Sequence, residues 1–358
     1  PPAIVIFFAF MIKQDFFLVI CMGLITFFTS VIITRLLIRL NISAVPMMRS
    51  SHNVPTPSAG GLAFILAFCV GVALCFIAFP YSIFPLLTPL KGLALAAFLV
   101  GSVSFRDDCQ PVSYRARLFT HILAACTILL AGLNLDFPAF SHLNNSWFAQ
   151  IITLITLVGL INGANFLDGL NGLLAGAVIL NLVFMMLFTP LMSGIGLVDG
   201  VLITAILGFL IFNFPSGKIF MGDVGSTFLG LVLGFLALLM QSYSLHPSDT
   251  AWINKTFILS LMPMAFLWFD VGFTLIRRAF LGCRLTEAHR DHLFHLLYDA
   301  GYSHKFVSCL HFLTIIFMGF LSLCCHCGLL SFLELTFIYG IVQAGFCWWV
   351  FKKNGMAR

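Results

Sequence analysis

Four carboxylates in this chain stand where long apolar runs break off, and chemistry is expected first at them: Asp107, Asp108, Asp168 and Asp223. Asp107 and Asp108 are adjacent. Two ionised neighbours repel, so the pair suggests a divalent cation, a cationic substrate, or one member acting as a proton acceptor. Asp168 belongs to Asn162-Gly-Ala-Asn165-Phe-Leu-Asp168-Gly-Leu-Asn171-Gly, whose four polar side chains recur every third residue and so stay near one helical face. Asp223 ends Lys218-Ile-Phe-Met-Gly222-Asp223-Val-Gly-Ser, a glycine-rich entry into the next apolar run. Exposed amides at a helix start suit phosphate, Asp223 can hold Mg²⁺ through oxygen, and Lys218 adds a cation. No G-x-x-x-x-G-K-[ST] loop occurs.

Two further clusters add groups that bind anions. His289-Arg290-Asp291-His292-Leu-Phe-His295, followed by His304, concentrates four of the ten histidines. His292 and His295 are spaced to share a helical face, which zinc could use, but no cysteine or well-placed third carboxylate completes a tetrahedral set. Contact with a diphosphate or sugar, led by the Arg290 guanidinium, is the preferred reading. Arg49-Ser-Ser-His52-Asn-Val-Pro55-Thr56-Pro57-Ser-Ala-Gly60-Gly61 joins the first two apolar runs, with Pro and Gly setting its turns and Arg49 and His52 offering anion contacts.

The elements that must position these groups follow from composition. Hydrophobic residues make up 61% of the 358 positions and charged residues 9%, far from a soluble domain. Apolar runs at about 16–34, 62–80, 86–104, 118–133, 147–163, 173–191, 195–214, 224–241, 256–276, 306–326 and 329–351 are each close to the length a spanning helix needs. An all-α polytopic membrane protein of about eleven spans is expected, forming one domain over 1–358. Residues 3–12 are too few to span alone and are expected to form an interfacial lead-in. Most of the 11 cysteines lie inside apolar runs as small hydrophobes, and the Cys324-Cys325-His326-Cys327 cluster has the wrong spacing for closed zinc coordination.

Orientation follows from the basic residues. Fifteen of the 18 Lys and Arg lie in the connections 35–61, 105–117, 164–172, 215–223 and 277–305 or in the tail from 352, against Lys13, Lys91 and Lys255 on the other side. The positive-inside rule then puts those five loops in the cytoplasm, with the amino terminus outside and the carboxyl terminus inside. All the polar clusters fall on that one face. A transporter of nucleotide sugars or lipid-linked substrates, the competing reading, would carry such groups near mid-membrane with access from both sides. A binding or scaffold role leaves the aspartate pair without purpose. Nucleic acid is disfavoured because the charges are split among short loops. One-sided carboxylates with Arg, Lys and His point to phosphoryl transfer between a soluble donor and a membrane-held acceptor.

With these residues assembled, the sequence resembles the polyprenyl-phosphate N-acetylhexosamine-1-phosphate transferases, the group that includes phospho-MurNAc-pentapeptide translocase and the O-antigen and capsule initiators. His52 with Pro-Thr56-Pro and Gly-Gly, Asp107-Asp108, Asn162-x-x-Asn165-Phe-x-Asp168-Gly-Leu, Phe-Met-Gly-Asp223-x-Gly-Ser and the His/Arg loop occur in the family's order. The resemblance implies eleven spans and a cytoplasmic site in the bacterial inner membrane. It also implies undecaprenyl phosphate as acceptor, a UDP-N-acetylhexosamine as donor, UMP as leaving product, and Mg²⁺ as cofactor with Mn²⁺ as a substitute; a homodimer is one assembly open to it. Asp107, Asp108 and Asp168 are thereby expected to be catalytic, and Asp223 with Asn165 to hold the metal. His52, Thr56, Asn162, Asn171, Lys218, Arg290, His292 and His295 are expected to bind substrate. Asp107 or Asp108 would orient or deprotonate the lipid phosphate for attack on the sugar-bearing phosphorus, directly or through a covalent carboxylate. Departures are specific: Pro111 and Ser58 stand where the family often has a basic residue, Asn171 replaces an aspartate, and the triple histidine of the muramyl enzyme is absent.

Overall fold

A computed structural model describes residues 2–40, 43–44, 56–135, 146–243, 250–284 and 289–355. Every apolar run becomes helix. The helices are α1 (Pro2–Leu40), α2 (Gly60–Ala78), α3 (Pro80–Ile83), α4 (Leu87–Cys109), α5 (Tyr114–Leu130), α6 (Ser146–Leu167) and α7 (Leu173–Phe188). After them come α8 (Gly194–Asn213), α9 (Gly222–Ser242), α10 (Thr250–Leu261), α11 (Ala265–Phe280), α12 (Leu293–Asp299), α13 (His304–His326) and α14 (Phe332–Lys353). One antiparallel pair of two-residue strands, β1 (Ser43–Ala44) and β2 (Thr56–Pro57), joins the α1–α2 connection to itself. The protein is an all-α polytopic membrane protein. Among the described residues nine helical stretches are long and apolar enough to cross a bilayer. The α5 and α7 helices, at 17 and 16 residues, are the shorter members of the set. The expected lead-in at 3–12 is no separate segment, since α1 runs unbroken from Pro2.

Proline accounts for the two broken spans. Pro263 has no N–H to give to the helix ladder, and α10 passes into α11 through a 3-10 turn at Met262–Met264. Pro85 does the same at Phe84–Leu86 before α4. Inside the bundle, α9 is apolar on every side and 94% of its apolar window is buried, as befits a central helix. It packs against α6, α4, α10 and α2. The α1 and α14 helices lie at the rim, with only 22% and 17% of their windows buried, so side chains such as Ile32 and Phe337 face hydrocarbon, which is as apolar as they are. Asp199, near the start of α8, is wholly buried, and neither of its oxygens has a hydrogen-bond partner among the described residues.

The start of α9 is fixed by a backbone strap. Phe220 N–H donates to the Pro57 carbonyl at 2.7 Å, and Gly60 and Gly61 N–H donate to the Phe220 and Met221 carbonyls at 2.9 and 2.8 Å. The starts of α2 and α9 meet this closely because Gly61 faces Gly225, leaving no room for a Cβ at Gly61 beside the Gly225 Cα. At Gly222 the backbone has φ +70°, and a Cβ there would press on the Ser58 carbonyl at 2.2 Å and on Asp108 Oδ2 at 2.6 Å. The glycines of Gly-Gly and Gly-Asp are thus what lets the strap reach Asp223. Gly222→Ala is expected to destabilise the protein by about 1–3 kcal/mol through backbone strain and overpacking. Gly272→Ala, where nothing lies within 4 Å, should leave the thermal unfolding of the detergent-solubilised protein unchanged.

Candidate active site

The two adjacent aspartates turn in different directions. Asp107 Oδ2 accepts a 2.7 Å hydrogen bond from Arg117 Nη1, while its Oδ1 accepts the Val112 N–H at 2.6 Å. Asp108 reaches across to the start of α9, where Oδ1 accepts the Asp223 N–H at 2.9 Å and Oδ2 the Val224 N–H at 3.3 Å. It therefore serves as the N-terminal cap of a helix 115 residues away. The amides expected to be open to phosphate at this helix start are taken by a carboxylate of the protein itself. Ser104 on α4 and Thr227 on α9, 3.0 Å apart, tie the same two helices one turn deeper.

Asp223 faces the same Arg117. Its Oδ2 lies 3.5 Å from Arg117 Nη1, so oxygens of Asp107 and Asp223 converge on one cationic nitrogen. Asn165 on α6 holds the third side, its Nδ2 donating to Ser226 Oγ at 3.0 Å and its amide also hydrogen-bonding the Asp223 carboxyl. The expected row Asn162, Asn165, Asp168 and Asn171 does not stay on one helical face. The α6 helix stops at Leu167, and the turn up to Gly172, where φ is +72°, sends the later members elsewhere.

Each of the four has a separate environment. Asn162 donates to Val158 in its own helix at 2.7 Å and hydrogen-bonds His121 of α5. Asp168 remains beside the cluster, half-buried, and no hydrogen bond to its carboxylate is found among the described residues. Burial, and then the Asp223 and Asp108 carboxylates, push Asp168 up to about 8. Asn171 is buried in the loop's own framework: Nδ2 donates to the Pro215 carbonyl at 3.3 Å, its N–H approaches His304 Nδ1 at 3.3 Å, and its carbonyl accepts from Ser308 at 3.0 Å. Lys218 is exposed and Thr56 half-buried, and His52 falls outside the described residues.

The His/Arg loop packs against Gly169, the residue after Asp168. Helix α12 begins immediately after His292, which is its N-cap, so His292 and His295 flank the first turn with rings 6.5 Å apart. His295 packs on Gly169, where a Cβ would lie 2.7 Å from Nε2. Arg290 is paired with Asp299 at 2.8 Å and lies over the Tyr298 ring. Burial, followed by the neighbouring His292, brings His289 down to about 4 and His295 to about 3, so both are neutral near pH 7 and each can donate one hydrogen bond. Two residues that the sequence pattern left without a role contribute here. Arg117 gathers the carboxylates. Asp270 of α11, only 1% exposed, sits beneath the loop.

This arrangement of carboxylates on α4, in the turn after α6 and on α9 falls in a segment that similarity identifies. Residues 90–241 match the model of glycosyl transferase family 4. Over that segment the chain is similar to glycosyl transferase family 4. A probable undecaprenyl-phosphate N-acetylglucosaminyl 1-phosphate transferase of Bacillus subtilis is 29% identical over 297 residues, 81% of this chain and 78% of the relative. A decaprenyl-phosphate N-acetylglucosaminephosphotransferase of Mycolicibacterium smegmatis is 27% identical, covering 79% of this chain and 75% of its own. A phospho-N-acetylmuramoyl-pentapeptide-transferase of Pelagibacter ubique reaches 33% identity over a shorter stretch, 53% of this chain and 60% of the relative.

The donor set at Arg117 fits a magnesium ion: two carboxylates meet at one cation-occupied point, and Mg²⁺ is held by few protein oxygens. Asp168 supplies a test that needs no substrate. Its folded value near 8 stands above the ordinary 3.8, so the wild-type protein loses stability as pH rises from about 4 through about 8. Asp168→Asn does not titrate. Its melting temperature should exceed the wild type's by a margin larger at pH 8.5 than at pH 6, while its turnover falls.

Proposed function

We propose that this chain transfers an N-acetylhexosamine 1-phosphate from a UDP-sugar to undecaprenyl phosphate, forming undecaprenyl-diphosphate-sugar and releasing UMP. The observation that carries the reading is the meeting of Asp107 and Asp223 on Arg117, with the unbonded Asp168 carboxylate alongside. Names of the Bacillus and Mycolicibacterium relatives support the coarser statement, a polyprenyl-phosphate sugar-1-phosphate transferase of the membrane. The finer assignments are ours: a UDP-linked donor, undecaprenyl as the lipid, a cytoplasmic site in a bacterial inner membrane, and a place in O-antigen or related envelope polysaccharide synthesis.

The residues divide the work by their contacts. Asp107 and Asp223 would hold Mg²⁺, or Mn²⁺ in its place, with Asn165 keeping the Asp223 carboxyl in position. Bound there, the ion supplies charge neutralisation for the donor diphosphate. Arg117, released from the carboxylates, keeps a guanidinium within reach of the same phosphates. Asp168, close to the cluster and without a hydrogen bond to its carboxyl among the described residues, orients the acceptor phosphate. An oxygen of the lipid phosphate then attacks the sugar-bearing phosphorus in line, the bond to the UMP oxygen breaks, and UMP leaves with that electron pair. Asp108 contributes by holding the first turn of α9, and thereby Asp223, in place. Arg290, His292 and His295 border the donor side, the two histidines acting as neutral donors or acceptors.

Membranes carrying the protein should move label from UDP-[¹⁴C]N-acetylglucosamine, or from another UDP-N-acetylhexosamine in a panel, into the organic phase only with undecaprenyl phosphate and Mg²⁺. Transport of the nucleotide sugar into vesicles without lipid labelling would overturn the reading. Asp223→Asn should insert normally and lose turnover by about 100-fold or more, the scale of removing one preorganised electrostatic group. Asp107→Asn should raise the Mg²⁺ concentration needed for half-maximal rate, and Asp108→Asn should lower the melting temperature as well as the rate.

A further inference from the structure

We propose that Asp270, a carboxylate of α11 that touches none of the reacting groups, is a positioning residue for the donor side of the site. The inference rests on the reading above for what the site binds. Asp270 is 1% exposed, within a stretch apolar enough to cross the membrane. An ionisable group in that setting needs partners. Its Oδ1 accepts the Leu293 N–H at 2.8 Å and the Thr274 hydroxyl at 3.0 Å, and its Oδ2 accepts the Phe294 N–H at 3.4 Å. The first two amides of α12 are therefore satisfied by a side chain from the preceding membrane helix. His292 Nδ1 stands 3.5 Å from the same Oδ1.

These contacts matter for the site because, among the described residues, no other side chain caps the start of α12. It is seven residues long, too short to persist as an isolated helix. His292 at its cap stacks on Phe294, ring centroids 5.5 Å apart at 8°, and lies 6.0 Å from Phe166 of α6. His295, one turn on, packs against Gly169, next to Asp168. A shift of the α12 start moves both histidines, the groups read above as bordering the donor, and leaves the Asp107, Asp223 and Arg117 set in place. Asp270 thus acts on donor contacts through α12, separately from the carboxylates on α4 and α9.

The experiment uses the purified full-length protein in detergent, comparing wild type, Asp270→Asn and Thr274→Val. Asp270→Asn keeps volume and one acceptor while removing charge. Its KM for the UDP-sugar should rise about tenfold, the scale of losing one charge-assisted hydrogen bond. KM for undecaprenyl phosphate and the Mg²⁺ requirement should change by less than about twofold, because neither contact set involves α12. Hydrogen exchange across 289–300 should quicken. Thr274→Val, which loosens the carboxylate without removing it, should shift donor KM and exchange in the same direction by a smaller factor. Equal losses for donor and acceptor, an unchanged donor KM, or wild-type exchange in both variants would overturn the proposal. If the wild type itself transfers from no UDP-sugar, the functional reading falls, while exchange at 289–300 still decides whether Asp270 anchors α12.

Discussion

Helix starts carry unsatisfied N–H groups, and in a protein embedded in hydrocarbon those groups cannot be left to water. Here two of them, at α9 and α12, are satisfied by carboxylates from other membrane helices: Asp108 takes the first amides of α9 and Asp270 those of α12. The rest of the site depends on this arrangement. A carboxylate at a helix start also meets the positive end of the helix dipole, so each charge is compensated where bulk solvent is scarce. Asp223 owes its position to the first cap, and His292 and His295 owe theirs to the second.

The division of labour among carboxylates follows from what each already bonds. Asp108 accepts two amides, Asp107 and Asp223 share a guanidinium, and Asp168 is held close to like charges with no donor to it among the described residues. Structure and reactivity are thereby assigned to different members of one acidic group. A cluster in which every oxygen had a partner would be more stable and less useful, since a group that is to orient or deprotonate a phosphate must have a free lone pair.

Much of this was legible in the sequence, and the illegible part has a common cause. Apolar length alone located the long helices, nine of which are long and apolar enough to cross a bilayer among the described residues, and breaks in apolarity marked Asp107, Asp108, Asn165, Asp168 and Asp223, which the fold brings to one end of the bundle. Spacing by three misled beyond Leu167, because helical periodicity cannot announce that a Gly-rich turn ends the helix; hence Asn162 turns to His121 and Asn171 braces Pro215 and Ser308. Asp108 looked like a free carboxylate because its partners lie 115 residues ahead. Asp270 was discoverable by the rule that a charge inside a span has a purpose, although the purpose lay in a loop whose path no local pattern reveals.

The reach of the Asp108 contact also bears on how the protein is made. During synthesis α4 enters the membrane well before α9 exists, and at ordinary elongation rates the interval is on the order of ten seconds. Throughout it Asp107 and Asp108 sit at the bilayer surface with Arg117, only ten residues from Asp107, as their nearby counter-charge. The arginine therefore acts as an internal chaperone for the acidic pair, keeping two carboxylates from being stranded until the helix they are to cap has been threaded through. In this sense the nascent chain carries a temporary ion of its own, and the finished protein keeps that ion between Asp107 and Asp223.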